Sequence, residues 1–190
     1  VEGDTVRHLP EFSWDSVNEA VDYQLQVNDN SDFINDSAEI NIVLPELEYS
    51  SVLEDSLLGG QNYWRIRSRN VIGIWGEWSA LDDFILAGPL SPTLIAPGIN
   101  DTLRTQPTFS WSTTEFAINY SIQVDDFPDF SSPELFFETN SNSHISTDTL
   151  AEGANYWRVQ AQNNAGIWGD WSIANDFILA GPESPILIIP

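Results

Sequence analysis

The chain has 190 residues, 42% of them hydrophobic and 12% aromatic, which supports one or two packed cores and argues against a disordered segment. Against 29 acidic residues stand six basic ones, a net charge of -23, so nucleic acid and anionic membrane are poor partners: phosphate contact needs clustered Lys and Arg. Cysteine is absent, which removes disulfides, thiol nucleophiles and zinc–thiolate sites, and no apolar run reaches the ~18 residues of a membrane span.

Short alternating runs broken by Gly, Pro, Asn, Asp and Ser predict strands throughout, and no segment carries a helical stripe. In "EFSWDSV" at 11–17, Phe12 and Trp14 share a face. In "DYQLQV" at 22–27, Tyr23, Leu25 and Val27 take one face, Gln24 and Gln26 the other. The carboxylate-rich "VNDNSDF" at 27–33 reads as a turn whose Asp, Asn and Ser bond their own backbone; it lacks the ligand spacing of a calcium loop. Glycosylation sequons stand at Asn35, Asn100 and Asn119.

The run "NYWRIRSRNVIGIWGEWSA" at 62–80 holds three of the six arginines on alternate residues, and the chain has no lysine. Arg65, Arg67 and Arg69 then share one strand face at a spacing of about 6.6–7 Å, with Trp64, Ile66, Ser68 and Asn70 on the other. Trp75 and Trp78 follow the turn at Gly73 and are placed to fold back beside the guanidinium groups. Such a stack gains roughly 0.5–2 kcal/mol per pair. The expectation is a stabilising exterior ladder; the rival reading is an exposed Trp and Arg face that recognises a glycan or a protein. Next come "DFILAGP" at 83–89 and a short proline-bearing linker, "AGPLSP" at 87–92, expected to be semi-rigid.

From "SPTLIAP" at 91–97 onward the pattern begins again. "PEFSW" at 10–14 returns as "PTFSW" at 107–111, a shift of 97; "NYWR" at 62–65 returns at 155–158, a shift of 93. All eight tryptophans fall in matched pairs: Trp14/Trp111, Trp64/Trp157, Trp75/Trp168 and Trp78/Trp171. In the second copy Arg158 is kept, while Gln160 and Gln162 replace the other two arginines, so its ladder with Trp168 and Trp171 is expected to be shorter. His8 and His144 occupy non-equivalent positions and are read as surface-loop residues. No acid pair, nucleophile–base set or metal constellation recurs in both copies, which argues against an enzyme.

"SPILIIP" at 184–190 repeats 91–97 and marks the opening of a further repeat. The expected boundaries are 1–89 for a first repeat lacking its own first strand, 90–182 for a second repeat, and 183–190 for a first strand of a following repeat or a donor strand. On this expectation the chain is a unit of a longer array. Ile186, Leu187, Ile188 and Ile189 are the candidate donor residues, completing either the next covalent repeat or the first repeat of a neighbouring copy.

With the "FSW" strands, "A..Y.LQV" and "A..Y.IQV", Leu57-x-x-Gly60 and Leu150-x-x-Gly153 before "NYWR", and "RN..G.WGEWS", the chain resembles tandem fibronectin type III domains over essentially its whole length. "WGEWS" and "WGDWS" are similar to the WSxWS box of cytokine-receptor members, in which tryptophans interleave with arginines of the preceding strand. The resemblance implies an all-β fold of two tandem immunoglobulin-like antiparallel β-sandwiches. Asn62 and Asn155 depart from it, standing where many members place a buried corner tyrosine. The function expected is a non-catalytic structural and adhesive repeat, extracellular or on a prokaryotic cell surface. It would form a rod or filament, with neighbouring copies or repeats of itself as partners. The alternatives are a glycan- or protein-binding module, and a spacer of a secreted hydrolase. No cofactor is expected; the cation candidates are calcium held between domains by Asp82, Asp83, Asn100 and Asp101, and calcium in the carboxylate-bearing loops at 27–33 and 124–130.

Overall fold

The computed structural model describes every residue except 1–2, 34–38, 53, 54, 56, 148, 187, 189 and 190. The chain divides into two compact units, Val1–Pro89 with Asn163–Trp168, and Leu90–Gln162 with Gly169–Pro190.

The first unit carries β1 (Asp4–Val6), β2 (Glu11–Ser13), β3 (Ala20–Asn28), β4 (Ile40–Leu44), β5 (Glu48–Ser50), β6 (Gly60–Asn70) and β7 (Asp82–Leu86). One sheet runs β1-β7-β6-β3-β4, and β2 pairs with β5 in a second. The alternation read from the sequence is the cause: Tyr23, Leu25 and Val27 on β3 point into the core, and Phe12 on β2 meets Trp64 and Phe84 across it at 5.4 and 5.8 Å.

The second unit repeats this with β8 (Leu94–Ala96), β9 (Asp101–Leu103), β10 (Thr108–Trp111), β11 (Asn119–Asp125), β12 (Leu135–Thr139), β13 (Ser143–Ile145), β14 (Gly153–Gln162) and β15 (Asn175–Leu179). Its sheets are β12-β11-β14-β15-β9 and β13-β10-β8. Phe109 meets Trp157 and Phe177 at 5.1 and 5.9 Å, and one apolar cluster joins residues from both sheets. This is the two-layer arrangement of a β-sandwich. Among the described residues no helix is long and apolar enough to cross a membrane.

One expectation from the sequence is overturned by the structure. His144 lies in a strand, β13, with its ring against Phe137 at 3.6 Å, not in a surface loop. Asn62 and Asn155, which break the corner-tyrosine pattern, close the corner by another route. Both are fully buried, and each side-chain amide donates to two carbonyls just upstream: Leu58 and Gly60 for Asn62, Ala151 and Gly153 for Asn155, at 2.9–3.2 Å. A short amide inside the turn does the work of a long phenol reaching over it.

Candidate functional site

In β3 and β6 the registers coincide, so Asp22, Gln24 and Gln26 stand directly opposite Arg69, Arg67 and Arg65. Each arginine bonds its partner. Arg65 donates twice to Gln26 Oε1, at 3.0 and 2.7 Å; Arg67 Nε donates to Gln24 Oε1 at 2.8 Å; Arg69 forks onto both oxygens of Asp22 at 2.9 and 2.6 Å. The pairing holds each guanidinium plane from the neighbouring strand, independently of the rings.

The rings arrive by a tight return. After Asn70, Gly73 adopts φ +86°, and Asn70 Oδ1 accepts from Ile74 N at 3.0 Å. The chain then runs back along β6: Gly76 N donates to Ser68 O at 2.9 Å and Ser79 N to Ile66 O at 2.8 Å, while Ser79 Oγ accepts from Ile66 N at 3.2 Å. Gly76 and Ser79 thus hold the returning segment to the strand, and Trp75 and Trp78 are laid over the arginine face. The stack reads Phe33, Arg65, Trp78, Arg67, Trp75, Arg69. Guanidinium-to-ring distances along it are 4.2, 4.3, 4.4, 4.7 and 4.8 Å.

These side chains are half-buried, so the outer arginine face is covered by rings of its own unit. Burial pushes Arg65 below the ordinary arginine pKa, and repulsion from Arg67 adds to it. Arg69 moves up instead, because Asp22 accepts its hydrogen bonds.

The second unit has one rung. Arg158 donates twice to Gln123 Oε1, at 2.8 and 2.6 Å, and lies between Phe130 at 4.0 Å and Trp171 at 4.6 Å. Burial lowers its pKa too. Gln160 and Gln162 pair with Ser121 and Asn119, so the cation and its acceptor change together at both missing rungs. Trp168 is half-buried and stacks on no arginine among the described residues.

The sequence reading omitted Phe33 and Phe130, which cap the two stacks from loops at φ +51° and +54°. It also omitted the acceptors on β3 and β11. The signal for the acceptors was available: Asp22-x-Gln24-x-Gln26 alternates in phase with the arginines. The remaining arginines, Arg7 and Arg104, donate to the carbonyls of Gly88 and Gly181, tying the segment after β1 or β9 to the end of its own unit.

The calcium candidates are engaged locally. Asp101 Oδ2 accepts from Gly98 N, Asp82 Oδ1 from Asp83 N, and Asp83 from the Gln61 side chain. In the loop after β11, Asp125 accepts from Phe127 N and Ser132 N, as a turn-forming carboxylate does. Among the described residues no three acidic or His side chains group as a metal site. Asn100 is exposed in a turn, whereas Asn119 lies within β11 and donates to Glu138; Asn35 is outside the described residues. Of the donor candidates, Ile186 and Ile188 are 90% and 92% exposed, and Leu187 and Ile189 are outside the described residues.

No family model matches this sequence, and no curated protein matches it. Among solved structures, the FN1–FN3 domains of chicken CNTN1 align at 15% identity and a TM-score of 0.39, over 93% of this chain and 65% of that one. This chain thus spans just under two thirds of that structure's length. The fibronectin(III)-like modules of Clostridium thermocellum CbhA align at 10% identity and a TM-score of 0.36, over 95% of this chain and 91% of theirs. The chicken interferon gamma receptor alpha chain aligns at 12% identity and 0.35, over 87% and 88%. Independently of these alignments, β10 and β13 with β8 face β12-β11-β14-β15, the first unit repeats the plan with β2 and β5 against β4-β3-β6-β7, and the fold of each unit is that of a fibronectin type III domain.

Proposed function

We propose that the chain is a non-catalytic structural repeat of an extracellular or cell-surface protein, a length of a rod or filament whose neighbours are copies of itself. One observation carries this. The Arg and Trp groups that would make a recognition face are already consumed by one another: each ladder guanidinium is hydrogen-bonded across the strand and stacked on a ring. A face whose donors are spent internally stiffens a sheet, and it offers an incoming ligand only ring edges. Duplication with every tryptophan position retained supports the same reading, since a repeated module gains length without a new site.

Arg67→Ala tests it. Arg67 touches two rings and one amide, so its loss is expected to cost about 1–3 kcal/mol, at about 4–8 °C of Tm per kcal/mol for a domain of this size. Urea unfolding and a glycan array are run on both proteins. A lower midpoint with no glycan bound by either protein supports the structural role. An unchanged midpoint together with a glycan bound by the parent and lost by the variant overturns it, and establishes the binding module instead.

A further inference from the structure

Two of the three Asn-x-Ser/Thr triplets lie on described segments of the second unit, and the fold treats them differently. Asn119-Tyr120-Ser121 runs inside β11, between β12 and β14. The Asn119 amide is engaged by Glu138, and Ser121, whose hydroxyl is part of the triplet, is 0% exposed. Asn100-Asp101-Thr102 stands in the turn that leads from β8 into β9, and both Asn100 and Thr102 are exposed.

The backbone of this turn is held while the acceptor groups are left over. Asn100 N donates to Asp176 O at 3.0 Å and Asp101 N to Gly98 O at 3.1 Å, and Asp101 Oδ2 accepts from Gly98 N at 2.7 Å. The middle residue thus turns its carboxylate back onto the turn. Neither the Asn100 amide nor the Thr102 hydroxyl is hydrogen-bonded among the described residues. The first unit supplies the comparison. It has Gly3-Asp4-Thr5 at the same place, with Gly3 at φ +79° against +61° for Asn100. Asp4 and Thr5 pair with Phe84 and Ile85 as Asp101 and Thr102 pair with Phe177 and Ile178. The Asp-Thr pair therefore serves the sheet in both units, and a glycine satisfies the turn. A side-chain amide two residues before an exposed threonine is what the second unit adds.

We propose that Asn100 is the acceptor of an N-linked glycan, and that Asn119 is not. The donor is an oligosaccharide carried on a polyprenyl phosphate or pyrophosphate. Asn100 Nδ2 bonds to the anomeric carbon as the bond from that carbon to the phosphate oxygen breaks. The amide gives one proton to a base of the transferase, the lipid phosphate leaves, and nothing is oxidised or reduced. The sugar stands at the start of β9, which pairs with β15 and with no other strand among the described residues, and next to Ile99, 64% exposed. A bulky polar group there covers an apolar side chain and keeps a sheet edge from pairing with another chain. The proposal rests on the extracellular reading above, because this transfer acts on exported chains.

The folded full chain, incubated with a purified single-subunit oligosaccharyltransferase and its lipid-linked oligosaccharide, tests it. Asn35→Gln is made in every sample, so that the triplet outside the described residues stays silent. Intact mass counts the glycans, and peptide mapping places them. A single glycan on Asn100 is expected. It is expected to be lost in Asn100→Gly, which copies the turn of the first unit, and in Thr102→Val, and to be kept in Asn119→Gln. Unfolding midpoints of the variants show that each is folded when it meets the enzyme. A folded chain left unmodified at Asn100, a Thr102→Val chain modified as fully as the parent, or Asn119 modified as readily as Asn100, overturns the proposal. The transfer is read on purified protein and the structural role on Arg67→Ala, so the two readings fail separately.

Discussion

Arginine does work here that lysine could not. Each ladder guanidinium presents a flat face to a ring while its edge bonds an acceptor on the neighbouring strand, and an ammonium has neither the plane nor the fork. Arg158→Lys keeps the charge yet loses both contacts, so urea unfolding is expected to show the second unit weakened by about 1–2 kcal/mol, with the first unchanged. The corner asparagines give a second expectation at this scale. Asn155→Ala leaves two carbonyls without their donor inside a buried turn, at a cost of about 1–3 kcal/mol, read from the denaturation midpoint. Glu39 gives a pH-dependent one. Desolvation raises its pKa, partly countered by the hydrogen bond from Leu58 N, while Asp29 adds repulsion. A carboxyl whose folded pKa is raised favours the fold when protonated, so its contribution is present below the unfolded value and is lost as pH rises through the folded one. Glu39→Gln is therefore expected to raise Tm at pH 7, and the gap from the parent to close as pH falls through the raised pKa. A gap that widened in acid would contradict this.

At the level of strands, the ladder depends on agreement between two elements and a return loop. Gln26 and Arg65 meet only because β3 and β6 keep register through Val27↔Trp64 and Leu25↔Ile66. A double-mutant cycle on Arg65→Ala and Gln26→Ala is expected to give a coupling of about 1–2 kcal/mol; additive effects would show that the cross-strand bond contributes nothing. The arginine alternation and the tryptophan spacing were legible in the sequence because a strand has period two and carries its own face pattern. The ring caps Phe33 and Phe130 were not, because each sits in a loop at positive φ and no periodicity points it at an arginine. The asparagine corner was legible only as a departure from an expected tyrosine. What replaced the tyrosine depended on how the turn before β6 and β14 closes.

Across the whole molecule, charge is the dominant feature. With 29 acidic residues and six arginines all engaged within the units, the compact state repels itself, and screening shortens that repulsion to about 10 Å at 0.1 M salt. Tm is expected to rise as NaCl is increased from low to moderate concentration, while the Tm difference between the parent and Arg67→Ala stays constant, since half-buried stacks are screened less than exposed carboxylates. A differential scanning series over salt checks both, and a fall in Tm would refute the first. The sequence by itself determined the duplication, the all-β class, the inward faces and the arginine row, because strand alternation and repeat spacing are properties of the linear chain. Only the tertiary structure decided that the arginine face is covered, that Asn62 and Asn155 close their corners, and that Trp14, Trp64 and Ile66 stay partly open where Trp111, Trp157 and Val159 are sealed. Those outcomes depend on which segments meet across the sheets, and matched positions of the two copies reach different burial when the strand beside them differs.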